Sequence, residues 1–152
     1  MPAQPFTLDP GVEQRLAARL FNRVWELLER TDRSQDEDDE MLHAAHASRY
    51  HWGQAGEAVQ RARGEWQCSR VYAVLARAEP AMHHARRCLA VAEEHKLSPF
   101  DLGCAHEAIA RAAKLAGRDE QAAQHTALGR AAADEVADPE ERQILLGDIA
   151  SA

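Results

Sequence analysis

Apolar residues recur every three or four positions along almost the whole chain, and that spacing predicts helices. Asp9-Pro10 supplies a capping carboxylate and a proline suited to a first turn. Behind it, Val12, Leu16, Leu20, Val24, Leu27 and Leu28 form one stripe, so a first helix is expected from residue 9 to about 30. Asp36, Glu37, Asp38, Asp39 and Glu40 make an acid-rich opening turn, which the helix dipole favours. A second helix should run from there to Trp52, broken by Gly53 and Gly56. A third spans about 57–78, with Gly64 weakening its interior. Glu79-Pro80 restarts the chain as a fourth helix to about His95, and Ser98-Pro99 opens a fifth to about Ala116. Gly117 stops the fifth as glycine does just past a helix end. A sixth covers about 119–136, and Asp138-Pro139 begins a seventh through Ile144, Leu145 and Ile149. Residues 1–8 read as an irregular lead-in. No alternating run suits a strand. The expectation is an all-α single domain of about seven helices, with N-terminal helices over 9–56, two hairpins over 57–136 and a capping helix over 138–150.

One internal offset aligns part of the chain with itself. Sliding residues 62–95 onto 103–136, a shift of 41 positions, superposes Ala81 on Ala122, Ala78 on Asp119, Ala76 on Gly117 and Ser69 on Ala110. Small residues correspond better than large ones. Two helices joined by a tight turn pack closely only where their contact residues are small.

These positions resemble the tetratricopeptide repeat, a helix hairpin of about 34 residues. Ala110, Gly117, Ala122 and Gly129 stand at its small positions, and so do Ser69, Ala76, Ala81 and Cys88. Tyr72 falls on the family's aromatic position, and Arg118-Asp119 resembles its turn. The pattern departs elsewhere: Trp66 lies one residue late, Ala113 replaces an expected Tyr, and Lys96 to Leu102 is extra. The resemblance implies antiparallel hairpins stacked as a short right-handed solenoid. It also implies a protein-interaction scaffold whose ligand lies along the first helix of each hairpin.

Composition narrows the classes. The chain has 152 residues, 45% hydrophobic but only 5% aromatic, and alanine makes up roughly a fifth of it. A net charge of −7 argues against nucleic acid or a membrane surface as partner. Cys68, Cys88 and Cys104 lack metal-knuckle spacing, and their Ala/Leu surroundings suggest small buried residues rather than nucleophiles. With no apolar run of membrane length and no secretory pattern at the start, a cytoplasmic protein is expected. No catalytic motif appears, so the chain reads as a non-enzymatic binding protein without a cofactor.

The resemblance selects the candidate groove. Carried onto this chain, it presents Arg63, Trp66 and Arg70 from one hairpin and Cys104, Glu107, Arg111 and Lys114 from the next. Arg49 and Trp52 on the preceding helix would extend it. Arginine matches carboxylates and tryptophan offers a flat anchor, so a partner peptide of acidic character is expected. The same residues equally fit a solvated face on which Glu65 pairs with Arg70, or Glu107 with Arg111. A second reading is a metal or small-ligand site at His43 and His46, three apart on one helix after Glu40. His106 and His125 are placed to meet across a hairpin. Ala-rich terminal helices also suit a homodimer.

Overall fold

The computed structural model describes Met1 and residues 6–152, and these form seven α-helices. They are α1 (Pro10–Leu28), α2 (Gln35–Ala55), α3 (Ala58–Val74), α4 (Ala78–Glu94), α5 (Pro99–Leu115), α6 (Asp119–Asp134) and α7 (Pro139–Ser151). The expected lead-in lies partly on residues 2–5, outside the described residues. From Phe6 to Asp9 the chain is irregular.

The ends follow the local chemistry. Asp9 Oδ1 accepts from the Gly11 and Val12 amides. Ser34 and Glu37 close a reciprocal capping box on α2. Ser98 caps α5 and Asp138 caps α7. Two boundaries differ from the sequence expectation. Helix α2 runs through Gly53 and stops only at Gly56. Helix α3 ends at Val74 rather than near residue 78, because the chain reverses at Ala76 (φ 59°). Arg77 N–H donates to the Tyr72 carbonyl at 2.8 Å, and Ala76 N–H to that of Ala73 at 3.0 Å. That pair of bonds is a Schellman closure. It recurs after α4, where Lys96 has φ 50°, and after α5, where Gly117 has φ 72°.

Successive helices pack antiparallel: α1 on α2, α3 on α4, α5 on α6. Each odd-numbered helix also meets the next odd-numbered one, whereas no two even-numbered backbones approach among the described residues. The odd helices therefore make one layer and the even helices another. Small residues sit where helices cross. Ser48 Oγ donates to the Ala17 carbonyl and Ser69 Oγ to that of Ala81, each at 2.8 Å. Gly64 lets α3 approach α2 closely: a Cβ there would stand 2.9 Å from Arg49 Cδ, which would have to move aside. A side chain at Gly103 would run into Leu145 of α7, whose side chain would have to shift.

The core has three parts. Val24, Leu27, Met41, Cys68 and Val71 join α1, α2 and α3. Trp66, Met82, Cys88, Ile109 and many alanines fill the centre. Ala133, Val136, Leu145 and Ile149 seat α7. No described helix is long and apolar enough to cross a membrane.

Candidate functional site

The odd-helix layer carries a cleft of about 180 Å³. Helix α1 contributes Phe21 and Trp25, α3 contributes Ala62, Arg63 and Trp66, and α5 contributes Phe100, Asp101 and Cys104. Ile144 and Asp148 of α7 form the far wall, and Cys88 of α4 lies at its base. The aromatic walls brace one another. Phe21 and Trp25 meet edge-on at 6.3 Å between ring centres, and Trp25 lies 5.6 Å from Trp66. Phe21, Trp25 and Phe100 are half-buried, and Ile144 is 52% exposed at the mouth. An apolar cavity of this size, roughly 150 Å³ and above, accepts a benzene-sized group.

Arg63 stands at the rim, its guanidinium 6.0 Å from the Phe100 ring centre. Its Nε donates to Asp101 Oδ1 at 2.9 Å, and that carboxylate holds the Arg63 pKa up. Beside the cleft, Glu107 is 1% exposed and holds three groups together. Trp66 Nε1 donates to its Oε2 at 3.0 Å, Arg111 Nε to its Oε1 at 2.7 Å, and Arg70 Nη1 stands 3.8 Å away. Burial pushes the Glu107 carboxyl above its ordinary range, while Arg111, Trp66 and Arg70 pull against it. Burial also lowers Arg70, whose guanidinium rests 5.8 Å from the Trp66 ring centre. Arg111 continues to the Asp148 carbonyl at 3.1 Å, and Lys114 Nζ donates to the Ala152 carbonyl at 2.8 Å. Both cations thus hold the end of α7.

The structure brings Arg63, Trp66, Arg70, Glu107, Arg111 and Lys114 onto one layer. Arg49 and Trp52 lie apart from it, on α2. Arg49 pairs with Glu65 at 3.0 Å, and Trp52 is half-buried near the α2 end. The basic character expected of this face is largely neutralised: Arg63, Arg70 and Arg111 each have a carboxylate within 4.0 Å. Of the alternative surface pairs, Glu107–Arg111 forms, while Glu65 turns to Arg49 and His84 instead of Arg70.

Phe21, Trp25, Phe100 and Ile144 were not picked out from the sequence. The signal was present in α1, where Phe21 and Trp25 are four apart and lie off the Leu/Val stripe. A helix with a second apolar face must cover a second neighbour or leave a surface for something else.

The histidines make a separate polar cluster. His46 Nε2 meets the Tyr72 hydroxyl at 2.8 Å, and the His84 ring stacks on Tyr72. His84 Nδ1 bonds Glu65 Oε2 at 2.7 Å. Burial and the charge of His84 lower the His46 pKa. His43 is exposed. Among the described residues, no three His, Cys, Asp or Glu side chains are grouped to hold a metal ion. His106 and His125 do meet across α5 and α6, with 3.0 Å between their Nδ1 atoms. Burial raises all three thiols, Cys68 to about 12. Thiols in that state are poor nucleophiles at neutral pH.

Comparison with protein-family models, curated proteins and solved structures finds no match to this chain.

Proposed function

We propose that this protein is a non-enzymatic interaction module, a short tetratricopeptide-like solenoid that docks a partner peptide on its odd-helix layer. The partner inserts one bulky apolar side chain, aromatic or branched, between Trp25, Trp66 and Phe100. The observation that carries this reading is the cleft itself. Four aromatic rings from α1, α3 and α5 converge on a space large enough for one side chain. Two of them are tryptophans, the residue type most enriched where interfaces concentrate their energy. The layered packing supports the repeat reading, since α3 and α5 are neighbours and Trp66 bonds Glu107, 41 positions on. The titratable groups near the cleft are engaged with one another, which suits a recognition surface better than a site of proton transfer.

Selection from a random peptide library tests this reading. The enriched peptides should share one bulky apolar residue at a fixed position. The variant I144W, which crowds the mouth from an exposed position, should weaken them at least about tenfold, the loss of one buried anchor. Enriched peptides without such a residue, or with full affinity for I144W, would count against it.

A further inference from the structure

Arg63, Arg70 and Arg111 beside the aromatic cleft are neutralised by carboxylates, but three arginines on α4 and at the α5–α6 turn are not. Arg86 and Arg87 on α4, and Arg118 at the α5–α6 turn, line a groove of about 740 Å³. None of the three has a carboxylate within 4.0 Å among the described residues, unlike Arg63, Arg70 and Arg111. His83 adds a fourth nitrogen base, and Glu79 is the one acidic residue in the lining. Buried Met82 and the alanines Ala78, Ala90 and Ala116 supply its apolar lining. The groove runs along α4 and is closed at one end by Ala116 and Arg118 of the α5–α6 turn. The charge of Arg86 adds to burial in lowering His125 on α6.

In a chain of net charge −7, leaving three arginines unpaired along one groove concentrates the positive potential there. We propose that this groove is a second binding site, which takes a glutamate- or aspartate-rich segment of a partner protein. Each guanidinium offers two parallel donors to a carboxylate, so three of them can engage three acidic side chains. The acidic partner suggested by arginine spacing on α3 and α5 is thereby moved to α4 and the α5–α6 turn, where the arginines have no carboxylate of this chain within 4.0 Å among the described residues.

The test uses the full chain and a fluorescent hexaglutamate peptide, titrated by anisotropy at low ionic strength. Three proteins are compared: wild type, R86E/R118E and R15E/R19E. Arg15 and Arg19 are exposed on α1, so the second pair changes net charge equally but elsewhere. Helicity by circular dichroism should be the same in all three. Wild type should bind, R86E/R118E should bind at least about tenfold more weakly, and R15E/R19E should stay within about twofold. Added salt should weaken the wild-type complex. Absence of wild-type binding, equal loss in both double variants, or no loss in R86E/R118E would each overturn the proposal. None of these outcomes bears on the aromatic cleft, which the experiment leaves intact.

Discussion

Glu107 ties α3 to α5 beside the aromatic cleft. It is buried, it accepts from Trp66 on α3, and it faces two arginines, one on α3 and one on its own helix. The i,i+4 pairing with Arg111 was legible in the sequence as one of two alternatives. Its burial was not, because burial depends on α3 and α7 arriving on either side. Replacing Glu107 by Ala leaves two arginines without their counter-charge in a partly dehydrated setting. Urea denaturation of E107A should show a loss of about 3 kcal/mol, the scale of breaking a buried ion pair from one side. A loss below about 1 kcal/mol would mean the arginines find water or other carboxylates at little cost.

At the scale of elements, helix ends were legible where capping residues mark them and misjudged where they do not. Asp9-Pro10, Ser98-Pro99 and Asp138-Pro139 announce themselves by side-chain chemistry, and Gly117 by lacking a side chain. Ala76 does not, and α3 was read several residues too long because alanine ordinarily extends a helix. Ala76 nevertheless holds φ 59°, in the left-handed region that disfavours a Cβ. It corresponds, at the shift of 41, to Gly117, which meets the same need without strain. A76G should therefore raise stability by about 0.5–1 kcal/mol, less the entropy glycine restores to the unfolded chain. Thermal denaturation checks this, and a destabilised A76G would show that the turn is held by other contacts.

The α5–α6 hairpin also carries a pH dependence. Burial lowers His106, and the neighbouring His125 lowers it further against a smaller opposing pull from Glu93. His125 is lowered by burial and by Arg86, and His46 by burial and His84. A histidine whose folded pKa lies below its unfolded value costs nothing above about pH 6.5 and destabilises the fold as pH falls through that value. The melting temperature should accordingly drop between about pH 7.5 and 5.5. In H125Q that drop should be smaller, since one shifted group and the repulsion on its neighbour are both removed. An unchanged drop would place the acid sensitivity elsewhere.

For the whole molecule, periodicity and breakers disclosed an all-α fold of seven helices among the described residues, packed in sequence as hairpins. Trp66 and Glu107, 41 apart, are bonded across α3 and α5. What periodicity could not disclose is the cleft. It is assembled from four odd-numbered helices, and its rings at Phe21, Trp25 and Phe100 lie outside the repeated segments or at their edge. Nor could spacing tell which arginines would be consumed by internal carboxylates, because those pairs join residues as far apart as Arg63 and Asp101.

The central claim is that a partner side chain occupies the cleft between Trp25, Trp66 and Phe100. The most direct measurement is a double-mutant cycle by calorimetry between an enriched peptide and the cleft. It combines wild type and I144W with the peptide and its form in which the bulky apolar residue is alanine. A side chain seated in the cleft predicts a coupling of at least about 1 kcal/mol, the range for groups in contact. Strictly additive effects, with I144W and the alanine peptide each weakening binding independently, would contradict the account.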